Sequence, residues 1–213
     1  NKEMILHVYE AAKKTNMGEV YVATPDQKII DVITNNGGKA ILTSLDHQTG
    51  TDRIYEVFKN QLKTEPSIIV NLQGDMPNID PKAITDLVLF MNKGQCEIAT
   101  LASSFISEEE LNDVNNVKVA VKKKLKDRSF DKAIDFFRTS SNAYENIYHH
   151  VGIYAFTNKA LVRYVSCERS RLELERKLEQ LRALENNMSI HVGYINTSPL
   201  SVDTKKDLTE VKK

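Results

Sequence analysis

Between residues 19 and 92 two kinds of apolar segment alternate, and this alternation constrains the chain more than any other feature. Residues 19–24, 39–43 and 68–73 are short apolar runs of strand type. The stretches between and after them carry apolar residues at helical spacing. Ile29, Ile30 and Ile33 follow Pro25-Asp26 and are closed by Gly37-Gly38; Ile54, Val57, Phe58 and Leu62 lie within residues 51–62. A third helix over residues 81–92 opens on Pro81, suited to a first helical turn. Strands separated by helices do not pair as hairpins. The pattern predicts an α/β fold, a mostly parallel sheet with helices on both faces.

The second half changes character. Residues 96–103, 117–121, 131–137, 151–156 and 190–195 read as strands, and the charged run from Lys122 to Arg128 reads as the solvated tip of a hairpin. Residues 139–147 form a polar loop. Ser170-Arg171-Leu172-Glu173 has the form of a capping box, opening a helix with Leu174, Leu178 and Leu181 on one face. Asp203-Thr204 begins a terminal helix. These elements add a small antiparallel subdomain to one domain spanning 1–213.

Composition narrows the function classes. Lysine and arginine total 29, as do aspartate and glutamate, so the formal net charge is zero. Nucleic acid or an anionic membrane as main partner usually demands a basic excess, and neither is expected. No apolar run approaches the ~20 residues needed to span a bilayer. Cys96 and Cys167 lie far apart without metal-type spacing and predict reduced thiols in a cytoplasmic protein.

The stretch IIVNLQGDMP, residues 68–77, poses the chemical question. A buried strand ends on Asp75, a carboxylate that a core strand does not need. In open parallel sheets ligands bind beyond the carboxyl ends of strands, which is where Asp75 falls. Asp203, after the last strand, stands in a comparable position. Two hard carboxylates suit Mg²⁺ shared with substrate phosphates, while a turn residue and a helix cap account for them equally well. The loop DHQTGTDR, residues 46–53, runs from a strand into a helix and presents backbone N–H groups to an anionic ligand, or is an ordinary capped loop. His149-His150 reads as a surface or sugar-contacting pair. A helical wheel leaves Glu179 solvated, away from the leucine stripe.

VNLQGDMP, DHQTGTDR, HHVGIYAF, LEQLRAL and SVDTKKDL all occur, and together they identify a resemblance. The chain resembles the 3-deoxy-manno-octulosonate cytidylyltransferases, the CMP-Kdo synthetases, from about Asn1 to the C-terminus and least between Lys122 and Asn146. The resemblance implies a nucleotide-diphospho-sugar transferase-like fold. It implies an enzyme that joins CMP from CTP to the 2-hydroxyl of Kdo, releasing pyrophosphate, for lipopolysaccharide synthesis. A cytoplasmic homodimer using Mg²⁺ is implied as well, with residues 117–156 in the dimerisation and sugar-binding region.

Carried over residue by residue, Asp75 and Asp203 would be catalytic and hold the metal. Thr49, Gly50, Arg53 and Gln73 would bind nucleotide; His150, Tyr154, Glu179 and Gln180 would bind the sugar. For Glu179 the resemblance opposes the helical wheel. Met76 departs from the family's usual QGDEP. The segment from Asn1 to Val8 matches the family's sequence immediately after its basic loop R-x-x-S-x-R-x-P-G-K-P, so that loop and a first strand are expected to precede Asn1. A sialic acid cytidylyltransferase and a non-catalytic nucleotide-binding homologue are the alternatives.

Overall fold

The computed structural model describes residues 2–61, 65–139, 143–202 and 204–211, among which side-chain statements omit 205, 206 and 210. The chain divides into two compact units. The first comprises Asn1–Glu65, Asn71–Thr85 and Pro199–Lys213; the second comprises Pro66–Val70 and Asp86–Ser198.

The first unit opens with α1 (Met4–Lys14), which buries Leu6, Val8 and Ala11 and carries Lys13 and Lys14 at its negative end. Strand β1 (Val22–Thr24) leads to α2 (Gln27–Asn35), capped by Asp26, whose carboxylate accepts the Lys28 N–H at 2.8 Å. Gly37 ends that helix at φ 73°, a left-handed conformation glycine adopts without steric cost. Strand β2 (Ala40–Leu42) pairs parallel to β1, with Ala23 opposite Ile41. Helix α3 (Gly50–Gln61) follows; β3 (Ile68–Asn71) falls in the second unit except for Asn71, and α4 (Pro81–Met91), which begins on the expected proline, is divided between the two.

In the second unit, β4 (Ile98–Ser103) is buried along its whole length. It precedes a short helix α5 (Glu108–Asn112), strand β5 (Lys118–Val121) and β6 (Phe130–Phe137). Next come β7 (Ile147–Thr157), α6 (Asn158–Ser166), α7 (Arg171–Arg176), α8 (Leu181–Glu185) and β8 (Ile190–Tyr194). The terminal helix α9 (Lys205–Val211) returns to the first unit.

Strand order in the larger sheet is β3-β7-β4-β8-β6-β5, with a further pairing of β7 to β5. The pairings β5–β6–β8–β4–β7–β5 therefore close on themselves, leaving these five strands a small barrel without a free edge. Strand β4 lies parallel to β8 and antiparallel to β7; β5–β6, β5–β7 and β6–β8 are antiparallel. The fold is α/β with a mixed sheet. The charged run does tip the β5–β6 hairpin, but Leu125 within it is buried, its N–H donating to the Tyr148 hydroxyl at 2.8 Å.

One sequence expectation fails in an instructive way. The predicted single helix from residue 171 is broken at Lys177, which adopts φ 55°. Its two parts are short, Leu174 is exposed, and only Leu178 and Leu181 of the expected stripe are buried. A helical wheel drawn across that break loses its phase. No helix among the described residues is long and apolar enough to cross a membrane.

Candidate active site

The sequence-predicted residues fall into two groups. Thr49, Gly50, Arg53, Gln73 and Asp75 belong to the first unit, and His150, Tyr154, Glu179 and Gln180 to the second.

In the first group, β2 delivers the chain to the N-terminus of α3. The Thr49 hydroxyl donates to Asp52 Oδ2 at 2.8 Å and accepts the Asp52 N–H at 3.2 Å, so Thr49 caps the helix. Gly50 follows. A Cβ there would stand 3.1 Å from Gln73 Nε2 and 3.5 Å from Gln73 Oε1, so the missing side chain lets the Gln73 amide lie against the helix start. Asn71, buried at the end of β3, donates from Nδ2 to Thr51 Oγ1 at 3.2 Å and fixes strand and helix together. Arg53 turns back onto the loop before its helix, donating to Thr43 Oγ1 at 2.6 Å and the Ser44 carbonyl at 2.8 Å. That loop is further held by Glu56, which pairs with His47 and accepts the Ser44 N–H at 3.0 Å. The His47 hydrogen bond keeps the Glu56 carboxyl below its ordinary pKa.

Asp75 answers the question its position raised. Its Oδ2 accepts the Ser201 hydroxyl at 2.6 Å, and its carbonyl accepts the Val202 N–H at 2.9 Å. Its Oδ1 is buried with no hydrogen-bond partner among the described residues. A buried, unsatisfied carboxylate oxygen is costly unless a ligand completes it, and a hard cation is a fitting one. Asp203 lies outside the described residues. The described residues hold no cluster of three or more histidine, cysteine or acidic side chains placed for a metal. Mg²⁺ needs fewer, since it commonly takes one or two protein carboxylates and fills its shell with phosphate and water. Met76 is a core residue only 4% exposed.

In the second group, β7 carries His150 and Tyr154, both buried. Their rings lie 5.5 Å apart, and Phe136 meets the imidazole edge-on at 5.1 Å. Burial, and then the charge of Glu179, pushes the Tyr154 hydroxyl well above its ordinary pKa, so it remains a donor. Burial pushes His150 down to about 3, with the neighbouring His149 adding to it, so the ring is neutral near pH 7. His149 is not part of the same cluster. Strand alternation sends it to the other face, where Nδ1 meets Glu110 Oε1 at 2.8 Å and the ring stacks on Phe105 at 5.4 Å. The acidic partner that the sequence lacked near this pair comes from α5.

Glu179 is half-buried and Gln180 buried, in the link between α7 and α8, which corrects the solvated placement that the wheel gave Glu179. The Tyr164 hydroxyl donates to the Glu179 carbonyl at 2.8 Å, and the Arg182 guanidinium lies 4.6 Å over the Tyr164 ring. Arg182 itself is buried and grips fully buried Glu173 at 2.9 and 2.7 Å, with Arg169 adding a contact at 2.9 Å. Burial pushes the Glu173 carboxyl up, but the two arginines outweigh it and hold it below the ordinary range. The link is thus fastened from beneath. Sequence reading missed Ser201, Tyr164 and Arg182. Two of them lay within quoted motifs, Ser201 as the first residue of SVDTKKDL and Arg182 within LEQLRAL.

The chain has similar proteins over its full length. The family model for cytidylyltransferases matches residues 1–190. A protein of Bartonella tribocorum named 3-deoxy-manno-octulosonate cytidylyltransferase is 42% identical over 217 aligned positions, covering 100% of this chain and 87% of that protein. Its namesake in Brucella ovis is 40% identical, covering 99% of this chain and 84% of that protein. Among solved structures, a CMP:2-keto-3-deoxy-manno-octonic acid synthetase complexed with CTP superposes with a TM-score of 0.85 at 36% identity, over 98% of this chain and 86% of that one. A 4-diphosphocytidyl-2C-methyl-D-erythritol synthase of Anaerococcus prevotii, at 12% identity and a TM-score of 0.62, shares the fold. The chain belongs to the cytidylyltransferase family, among its 3-deoxy-manno-octulosonate members.

Proposed function

We propose that this protein transfers CMP from CTP to the 2-hydroxyl of 3-deoxy-manno-octulosonate (Kdo), activating the sugar for lipopolysaccharide synthesis. What carries the reading is identity of about two residues in five, over the full chain, to proteins bearing that name. The hydroxyl oxygen forms a bond to the α-phosphorus as the α–β phosphoanhydride bond breaks, and pyrophosphate leaves. Such transfers demand positioning and charge neutralisation more than covalent chemistry from the protein.

The roles are those that the family resemblance implies. Asp75 and Asp203 would hold Mg²⁺, which when bound supplies positive charge at the phosphates and acidity at the attacking hydroxyl. The buried, unpartnered Oδ1 of Asp75 supports that role. Gln73 and the α3 N-terminus around Thr49 and Gly50 would receive the nucleotide, with Arg53 bracing their loop. Tyr154 donates to the sugar, Glu179 and Gln180 orient it, and His150 contacts it as a neutral ring. The protein would act as a homodimer.

Pyrophosphate release measured with each nucleoside triphosphate, paired with Kdo or with sialic acid, tests this. Release with CTP and Kdo alone is the expected result. Turnover with sialic acid and none with Kdo would transfer the assignment to the related acid sugar, and no turnover with any pair would make the protein a non-catalytic binder.

A further inference from the structure

The Thr100 hydroxyl sits at the one irregularity where β4 meets β7. Thr100 pairs with Tyr154, but the next residue, Leu101, pairs with Val151, so Gly152 and Ile153 bulge out of register. Three atoms surround the hydroxyl: the Ile153 carbonyl at 2.7 Å, the Val151 carbonyl at 3.2 Å and His150 Nε2 at 2.9 Å. Thr100 is fully buried.

A hydroxyl has one proton, and a carbonyl can only accept. Were the proton given to the imidazole, the hydroxyl oxygen would face two carbonyl oxygens with no hydrogen between them. The shortest contact, 2.7 Å, is the ordinary length of an O–H···O bond. The proton therefore goes to the Ile153 carbonyl, and the hydroxyl oxygen is left to accept from His150.

We propose that Thr100 is a positioning residue that holds His150 as its Nε2-protonated tautomer, so that Nδ1 faces the ligand's chemistry as a hydrogen-bond acceptor and takes a sugar hydroxyl rather than the sugar carboxylate. The inference rests on the reading of His150 as a sugar contact. Among the described residues the Thr100 hydroxyl is the imidazole's hydrogen-bond partner, which leaves Nδ1 with its lone pair unused. The Phe136 and Tyr154 rings pack against the imidazole and restrain its rotation. A neutral ring with an acceptor nitrogen repels a carboxylate and attracts a hydroxyl. The discriminating feature of this subsite is thus set one strand away, by a residue that touches no ligand.

Two measurements separate the tautomer from the substrate. Long-range proton–nitrogen correlation spectra of the full chain labelled in histidine, with His150 assigned through His150→Gln, should show a protonated Nε2 and a pyridine-type Nδ1 at pH 7. A protonated Nδ1 or an imidazolium would overturn the proposal whatever the substrate is. In kinetics, Thr100→Val should raise the KM for Kdo roughly tenfold, the size expected for losing one oriented hydrogen bond, with the KM for CTP unchanged. Thr100→Ser, which keeps the hydroxyl, should restore it. Should Thr100→Val not fold, the spectra of the unmodified chain still decide. An unmodified chain that shows the expected tautomer yet ignores Kdo sinks the substrate reading alone. Kdo turnover with a KM indifferent to Thr100→Val sinks the positioning role alone.

Discussion

Ser201 reaches across 126 residues of sequence to donate its hydroxyl to Asp75 Oδ2 at 2.6 Å, leaving Asp75 Oδ1 buried and unanswered by any described residue. One oxygen is fixed by the protein and the other is kept for something else. Asp75→Asn preserves shape and removes the negative charge, so turnover should fall on the order of a thousandfold at fixed Mg²⁺, equivalent to about 4 kcal/mol of barrier. Ser201→Ala only releases the carboxylate, and should raise the Mg²⁺ concentration for half-maximal rate several-fold while saturating metal recovers the rate. Titration of rate against Mg²⁺ checks both. Near-normal turnover of Asp75→Asn at saturating metal would remove Asp75 from the metal site.

Gly50 matters for space rather than for backbone freedom. Placing a methyl 3.1 Å from Gln73 Nε2 forces the amide to shift by a few tenths of an ångström. Alanine is the better helix former by up to about 1 kcal/mol, so Gly50→Ala should not lower stability. It should raise the KM for CTP several-fold. Combining it with Gln73→Ala removes the clash, and in that background Gly50→Ala should have no further effect on the KM. A full Gly50→Ala penalty persisting without the Gln73 side chain would show that the glycine acts elsewhere.

Tyr164→Phe deletes the hydroxyl that holds the Glu179 carbonyl at 2.8 Å and keeps the ring beneath Arg182. Stability should fall by about 1 kcal/mol, the usual net worth of one such bond. The KM for Kdo should rise while that for CTP stays, because Tyr164 supports Glu179, which is proposed to orient the sugar. Urea denaturation and initial rates read the two effects separately. An equal rise in both KM values would place the Glu179 link outside the sugar subsite.

Local periodicity carried the first half of the fold well. β1, α2, β2, α3, β3 and α4 each have one apolar face or run bounded by proline or glycine signals, and all appear within a few residues of where the sequence places them. The barrel was less legible because its closure depends on which distant strands pair, and β5 meeting both β6 and β7 leaves no mark on any single segment. Helix α5 is too short for its period to be read, so the Glu110 partner of His149 stayed hidden. The site residues were recognisable as motifs, but their supports were not. Thr100 looks like any strand threonine until register brings it opposite the β7 bulge. Glu179 required knowing that Lys177 turns left-handed.

Acid should destabilise the protein in a window set by His150. In the folded chain burial holds this ring neutral, its pKa pushed down to about 3, whereas in the unfolded chain it titrates near 6.5. Below about pH 6.5 the unfolded chain takes up a proton that the folded chain refuses, so unfolding is favoured increasingly as pH falls toward 3. The group's stabilisation is fully present above the unfolded pKa and declines by at most about 1.4 kcal/mol per pH unit below it. His149 and His191 are lowered by burial as well and act in the same direction. Urea unfolding at intervals between pH 7.5 and 5 should therefore show stability dropping with pH. His150→Gln can still donate to the Thr100 hydroxyl but cannot titrate, so it should flatten that slope without abolishing it, since His149 and His191 remain. An unchanged slope in His150→Gln would mean that the ring protonates normally in the folded state, and the neutral, buried imidazole would have to be abandoned.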